Sequence, residues 1–128
     1  MEYRKTMATG AVLAAIGVIM GAFGAHALED IVTYDRLVTW ETAVQYHMYH
    51  ALALILVGLI QQRTTELKSL KRASILFVVG IVLFSGSLYT LVLTDTDWLG
   101  AITPWGGISF IVAWLLCAIS VTKQDKGL

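Results

Sequence analysis

The sequence predicts an all-α membrane protein in which four transmembrane helices form an up-down bundle with both termini cytoplasmic. Hydrophobic residues make up 57% of the 128 residues and charged residues only 14%, with a mean hydropathy of +0.73. A soluble domain of this size cannot bury so much apolar surface. Four stretches also lack Asp, Glu, Lys and Arg, and each can hold a span of about 20 residues: 6–28, 42–62, 73–94 and 98–122.

The four spans form one domain over residues 1–128, and local signals refine their bounds. We expect spans at about 6–28, 42–62, 73–94 and 104–122, each long enough to cross a bilayer. The fourth begins near Pro104, because proline suits the first turn of a helix, where its missing amide would be unpaired anyway. A short interfacial helix is expected at about 35–41, because Asp35 can accept hydrogen bonds from amides that open a helix and apolar residues then recur at helical spacing.

The distribution of positive charge predicts the orientation, because cations near short loops stay on the cytoplasmic side. Eight of the nine lysines and arginines lie in the segments that this topology makes cytoplasmic: Arg4, Lys5, Arg63, Lys68, Lys71, Arg72, Lys123 and Lys126. Only Arg36 lies in an outer segment. Trp40, Trp98 and Trp105 fall at the outer ends of spans, where an amphipathic ring is stable at the headgroup level.

Small residues mark the faces along which the helices are expected to pack, since helices in lipid associate where backbones can approach closely. They recur at steps of three and four in the first span (Gly10, Ala14, Gly17, Gly21, Gly24) and in the fourth (Gly106, Ser109, Ala113, Cys117, Ser120). This spacing is typical of a left-handed bundle. The expected packing glycines are Gly10, Gly17, Gly21, Gly24, Gly106 and Gly107.

Polar residues within the spans are expected to form one layer in the outer half of the bundle. Its candidate members are His26, His47, His50, Gln45, Tyr46, Ser85, Ser87 and Tyr89. At a rise of 1.5 Å per residue, the three histidines would lie within roughly 3 to 12 Å of the outer boundary. We expect His26 and His50 to face the bundle interior there.

Four segments carry a resemblance to a known family. They read GAFGAH at 21–26, WETAVQYHMYHALAL at 40–54, LFSGSLY at 83–89 and TPWGG at 103–107. The chain resembles, over nearly its whole length and all four spans in order, the YgdD/YwdK family of small bacterial inner-membrane proteins, the domain of unknown function 423 group. The resemblance implies a four-helix protein of the bacterial cytoplasmic membrane with histidine at the positions of His26 and His50, and it implies no reaction.

Four interpretations of the polar layer remain open. The first is structural: His26 and His50 would bond to Ser85, Ser87, Tyr89 or backbone groups and so tie the first three spans together. The second is a metal or haem site with His26 and His50 as ligands, because imidazole suits zinc, copper and iron. The third is a pocket for a small lipid-soluble ligand such as a quinone or a lipid headgroup, formed by histidines, tyrosines and Trp105 under Gly106 and Gly107. The fourth, a transport path, is disfavoured because a polar layer in one half of the bilayer makes a vestibule only.

The structural interpretation leads to a small, non-enzymatic structural or accessory membrane protein, and binding of a metal, haem or lipophilic ligand through His26 and His50 is the alternative. No phosphate-binding loop, nucleophile elbow or metalloprotease motif occurs, and a net charge of zero gives no support to nucleic-acid binding. We expect no cofactor. The expected partners are membrane lipids, with a homo-oligomer or a larger membrane complex as further assemblies.

Overall fold

The computed structural model describes residues 2–65 and 68–124, and each expected span is helical. The helices are α1 (Tyr3–His26), α2 (Tyr34–Gln61), α3 (Lys68–Gly80), a π-helix (Ile81–Gly86), α4 (Ser87–Thr94), a 3₁₀-helix (Asp97–Ala101) and α5 (Thr103–Gln124). The third span runs through α3, the π-helix and α4. Four helical spans are long and apolar enough to cross a membrane, and the described residues contain no strand, so the predicted all-α fold with four spans is confirmed. Lys126, one of the expected cytoplasmic cations, lies outside the described residues.

Glycines determine how closely α1 lies against α2. Gly10, Gly17 and Gly24 repeat every seven residues, and all three are buried. A Cβ on Gly10 would lie 2.8 Å from the Ala51 carbonyl oxygen, and one on Gly24 would lie 2.4 Å from the Trp40 ring. A seven-residue repeat keeps such a seam on one side of a helix. Because α1 packs mainly against α2, apolar side chains on its other faces, such as Val12, Val18 and Ile19, are exposed.

The expected interfacial helix is the first part of α2 and not a separate element. Its N-cap is Thr33, whose hydroxyl accepts a hydrogen bond from the Arg36 amide at 3.3 Å. Asp35, the expected cap, lies instead in the first turn, where its negative charge complements the positive end of the helix dipole.

Trp40 corrects the prediction of an outer aromatic belt. Trp98 and Trp105 are exposed as expected, whereas Trp40 is only 1% exposed. Its indole Nε1 donates a hydrogen bond to the Met20 carbonyl of α1 at 2.8 Å. The reason is that the start of α2 runs alongside the outer end of α1, so this turn is covered by protein.

The third span changes its helical pitch in the middle. The sequence predicts one regular helix over 73–94, but Ile81–Gly86 form a π-helix, a rare form that often occurs at functional sites. Here the backbone of the span meets α5: a Cβ on Gly106 would lie 2.4 Å from the Phe84 nitrogen. Only a glycine at this position allows the two backbones to approach so closely.

The apolar core lies between α2, the third span and α5. The Phe110 ring packs directly on Gly80, where a Cβ would lie only 2.4 Å from the ring. The buried residues of this core cluster are Ala53, Leu54, Val57, Leu70, Ala73, Phe77, Ile81, Phe110 and Ala113. This packing fixes α5 against α3 and brings the middle of α5 close to α2. A second buried cluster is formed by Leu28, Trp40, Ala43, Leu88, Tyr89, Leu91 and Val92.

An ion pair joins the two outer segments. Arg36, at the start of α2, donates from Nη2 to Asp95 at 2.8 Å and also to Asp97. Asp95 follows α4 with a φ of 50°, a left-handed conformation that aspartate tolerates better than most residues. The outer cation is therefore balanced by two carboxylates.

Candidate functional site: a buried histidine network

His47 joins three spans through its two ring nitrogens. Nε2 lies 2.7 Å from the Leu13 carbonyl oxygen of α1, and Nδ1 lies 2.8 Å from the Tyr89 hydroxyl of α4. A carbonyl can only accept, so Nε2 carries the proton and Nδ1 accepts from Tyr89. The side chain is buried, and both nitrogens of its neutral ring have partners.

His50, one turn further along α2, has the opposite tautomer. The Trp114 indole of α5 donates to Nε2 at 3.1 Å, so Nε2 must be unprotonated. The protonated Nδ1 donates to the Tyr46 carbonyl one turn earlier, at 2.6 Å. The ring also stacks on Phe110, with centroids 3.6 Å apart and planes at 6°. His50 thus joins α2 to α5.

Serine hydroxyls make the remaining ties of this network. Ser85, in the π-helix, donates to the Ala43 carbonyl of α2 at 2.7 Å. Ser87 lies 2.6 Å from the Thr103 hydroxyl at the start of α5 and donates to the Phe84 carbonyl one turn earlier. Farther along α5, Ser109 donates to the Leu76 carbonyl of α3 at 2.7 Å.

Glycines make some of these carbonyls accessible. In a helix, a side chain covers the turn N-terminal to its own Cα and so shields the carbonyl four residues before it. Gly17 stands four residues after Leu13, and Gly24 four residues after Met20. A Cβ on Gly24 would lie 2.6 Å from the Trp40 Nε1. The same residue that permits close packing therefore exposes a hydrogen-bond acceptor.

The structure contradicts the expectation that His26 faces the interior. His26 is exposed at the last residue of α1. It follows the buried Gly24 by two residues, which is roughly 200° around a helix of 3.6 residues per turn, so it points away from α2. The expected pairing of His26 with the serines or tyrosines of the third span is therefore wrong.

His26 and His50 also lie at different depths. Gly24 packs on Trp40 and Gly17 packs on Met48, so His26 lies near the level of Trp40. His50 is ten residues further along α2, about 15 Å deeper at 1.5 Å per residue. The expected common layer placed the first turns of α2 at the interface, outside the span, whereas these turns pack beside the outer end of α1.

The other candidate residues divide into two groups. Ser85, Ser87 and Tyr89 are buried in the network described above, although none of them bonds to His50. Gln45 is exposed, and Tyr46 is partly exposed with its backbone carbonyl bonded to His50.

Two of the expected packing glycines do not make close contacts. The nearest atom to a Cβ on Gly21 would be Val44 Cγ1 at 3.4 Å, and on Gly107 it would be Phe84 Cδ2 at 4.0 Å. These are ordinary distances that leave room for a methyl group. In contrast, Gly58, which the sequence analysis did not select, would bring a Cβ to within 2.3 Å of Met7 Cγ.

Trp114 was not among the residues expected in the polar layer, although it bonds to His50. Trp114 follows Phe110 by four residues on α5, and both contact His50. A spacing of four places two aromatic residues on one helix face. That signal was present in the sequence, but it does not show which histidine the face meets.

The network can hold helices together, and its histidines have no free lone pair with which to bind a metal. Each imidazole nitrogen of His47 and His50 already donates to or accepts from a protein group. Within residues 2–65 and 68–124, His, Cys, Asp and Glu form no group of three or more that could hold a metal ion. A metal or haem bound at either histidine would have to displace an interhelical hydrogen bond.

The fold and the network define a small four-span membrane protein whose helices are joined by buried His, Tyr, Ser and Trp hydrogen bonds. Residues 20–107 match the model of the family described as protein of unknown function (DUF423). The chain belongs to the DUF423 family, which confirms the resemblance found in the sequence.

Two relatives show how far the similarity extends. The chain is 46% identical over 114 residues to the UPF0382 membrane protein YwdK of Bacillus subtilis, covering 89% of this chain and 93% of that protein. It is 47% identical over 114 residues to a UPF0382 membrane protein of Staphylococcus epidermidis, covering 89% of this chain and 92% of that protein. No solved structure matches the chain.

Proposed function

We propose that this protein is a non-enzymatic structural or accessory component of the bacterial cytoplasmic membrane, in which buried polar residues hold four spans in one arrangement. The observation that carries this proposal is the full use of both ring nitrogens of His47 and His50 by protein groups. Buried donors and acceptors in lipid must be satisfied internally. A network that meets this requirement acts as a set of interhelical ties.

The proposed orientation places both termini in the cytoplasm. It rests on the exposed cations at the ends of the spans, including Arg4, Lys5, Lys71 and Arg72, because such charges stay on the cytoplasmic side. The ion pair of Arg36 supports it, since the cation of the outer segments is balanced by carboxylates. The bacterial relatives are named membrane proteins, which supports a location in the cytoplasmic membrane.

The proposed partners are membrane lipids and, along the free face of α1, a second copy of this chain or another component of a membrane complex. The support is the packing of α1, which contacts mainly α2. Exposed apolar side chains such as Val12, Val18 and Ile19 remain on its other faces.

A metal or haem held jointly by His26 and His50 gains no support from the geometry. The helix register separates these residues by about 15 Å along the bundle, and His26 is exposed. A site at His50 alone would first have to displace Trp114 from Nε2.

The test combines composition with stability. Metal content, the absorption spectrum and the thermal unfolding midpoint are measured on the full chain in mild detergent, for the parent and for His50→Ala, His50→Gln and His47→Gln. We expect no stoichiometric metal or haem in any sample. We also expect lower unfolding midpoints in all three variants, with the glutamine at position 50 less damaging than the alanine, because an amide can replace part of the hydrogen bonding.

The matched control is His26→Gln, which changes an exposed histidine and should leave the unfolding midpoint unchanged. About one equivalent of metal or haem in the parent and none in His50→Ala would overturn the proposal. Equal midpoints for all the variants would also overturn it, because the network would then contribute nothing to the arrangement of the spans.

A further inference from the structure

An aromatic groove opens towards the lipid between α2, the π-helix and α5. Its volume is about 400 Å³, within the range of about 300 to 1,000 Å³ that is typical of small-molecule sites. The residues that determine its chemistry are Tyr46, Tyr49, His50, Phe84, Phe110 and Trp114. Gly107 also lines the groove, and the absence of a side chain there keeps that part of it open.

The groove walls are flat and fixed before any ligand binds. Tyr46 stacks on Phe84 with centroids 4.5 Å apart, and His50 stacks on Phe110 with centroids 3.6 Å apart. Hydrogen bonds on both nitrogens of His50 hold its ring in this position. Flat, immobile aromatic faces favour a planar ligand, because offset and edge-to-face ring contacts add to the burial of area.

Two hydrogen-bond donors in the groove have no partner in the described parts of the chain. The hydroxyls of Tyr46 and Tyr49 make no hydrogen bond with residues 2–65 or 68–124, and their side chains are 37% and 58% exposed. Both tyrosines lie within a membrane-spanning helix, where a polar group needs an acceptor. A ligand with a carbonyl oxygen would supply one.

The charge of the groove further limits the class of ligand. None of the residues that line it is Asp, Glu, Lys or Arg. A charged lipid headgroup that moved from water into the groove would therefore find no counter-ion there. Removing a charge from water without such a partner is costly. The site therefore favours a neutral molecule with a planar carbonyl-bearing ring and an apolar body.

We propose that the groove binds the ring of an isoprenoid quinone, with the Tyr46 and Tyr49 hydroxyls donating to its carbonyl oxygens. The ring lies against the aromatic walls, and the isoprenoid tail extends through the open side into the acyl chains of the bilayer. Binding is non-covalent and involves no electron transfer. This inference goes beyond the structural role proposed above and does not depend on it.

The test measures quinone binding to the full chain in phosphatidylcholine nanodiscs. Decylubiquinone, a short-tailed quinone, is titrated while tryptophan fluorescence is recorded, because Trp114 lies in the groove and quinones quench indole emission on close contact. The parent protein is compared with the double variant Tyr46→Phe and Tyr49→Phe. This variant keeps both rings and removes only hydroxyls that make no hydrogen bond within the described chain, so its unfolding midpoint should equal that of the parent.

We expect saturable quenching in the parent and a half-saturation concentration about tenfold higher in the double variant, as expected for the loss of two hydrogen bonds of modest strength. Tyr34→Phe, at an exposed tyrosine outside the groove, should behave as the parent. Quenching that rises linearly and equally in all three proteins would overturn the proposal. A phospholipid that co-purifies, is seen by native mass spectrometry and is not displaced by the quinone would overturn it as well.

Discussion

The adjacent glycines Gly106 and Gly107 allow a direct test of the packing, because the same substitution should destabilise the protein at Gly106 and not at Gly107. A Cβ on Gly106 would lie 2.4 Å from the Phe84 nitrogen and 2.8 Å from its Cα. These are backbone atoms of the π-helix and cannot turn aside as a side chain would. At Gly107, the nearest atom to a new Cβ would be Phe84 Cδ2 at 4.0 Å.

The expected magnitude follows from these distances. Non-bonded carbon atoms prefer separations of about 3.5 to 4.0 Å, so Gly106→Ala requires the π-helix and α5 to separate by about 1 Å. Overpacking of this kind costs about 1 to 3 kcal/mol. Replacing glycine by alanine within a helix also stabilises the helix by up to about 1 kcal/mol. Because the atoms that Gly106→Ala would meet are backbone atoms at 2.4 and 2.8 Å, we expect an overpacking cost near the upper end of its range and a net loss of about 2 kcal/mol in the free energy of unfolding. We expect Gly107→Ala to leave it unchanged or raise it slightly.

The assay is equilibrium unfolding of both variants and the parent in mixed micelles, with increasing SDS and helicity followed by circular dichroism. The two variants have the same composition, and their substitutions lie in the same helical turn, so a general effect of alanine on α5 would appear in both. Equal changes in the two variants would refute the packing described here. A Gly106→Ala variant as stable as the parent would show that the backbone contact with Phe84 is not made.

Two further predictions concern the contacts of α2. Tyr89→Phe removes the donor to the His47 Nδ1 and should lower the free energy of unfolding by about 1 kcal/mol. Single interhelical hydrogen bonds in membranes contribute about 0.6 kcal/mol on average and at most about 1.7 kcal/mol. An unchanged free energy of unfolding in the SDS titration would argue against the bond. Gly24→Ala places a methyl group 2.4 Å from the Trp40 ring, whereas Gly21→Ala places one at an ordinary distance of 3.4 Å from its nearest neighbour. Thermal unfolding should therefore show a lower midpoint for Gly24→Ala only. Equal midpoints for the two variants would contradict the close contact between Gly24 and Trp40.

The four spans could be predicted from the sequence because their signal is local. A stretch without charges that is long enough to cross the bilayer has few alternatives in lipid. The π-helix at Ile81–Gly86 could not be predicted in the same way, since one turn of different pitch leaves the apolar composition of the span unchanged. The π-helix lies where the third span contacts α5, close to Gly106, and such contacts join residues that are distant in the sequence.

The candidate site was predicted less well, because the position of a histidine depends on the rotation of its helix. His47 and His50 are both buried, whereas His26 is exposed, and all three lie in or at the end of apolar stretches. Whether each histidine is buried depends on which face of its helix packs against a neighbouring helix. For α1 that face is defined by Gly10, Gly17 and Gly24, and the sequence shows the repeat without showing that α2 is the partner.

The seven-residue repeat of α1 has a second role that explains why glycine, and not another small residue, suits these positions. A buried His or Trp donor in lipid has no water to bond to, and the carbonyls of a neighbouring helix are normally covered by the side chain four residues later. Gly17 and Gly24 remove that cover from Leu13 and Met20, whose carbonyls accept bonds from His47 and from the Trp40 indole. A Cβ on Gly24 would lie 2.6 Å from the Trp40 Nε1 itself, and a Cβ on Gly17 would lie 2.3 Å from Met48 Sδ, beside His47. Gly21, which lies outside the repeat, has room for a methyl group, whereas Gly10 is required by the close approach of α2 at Ala51; glycine thus serves backbone packing at Gly10 and also opens an acceptor at Gly17 and Gly24.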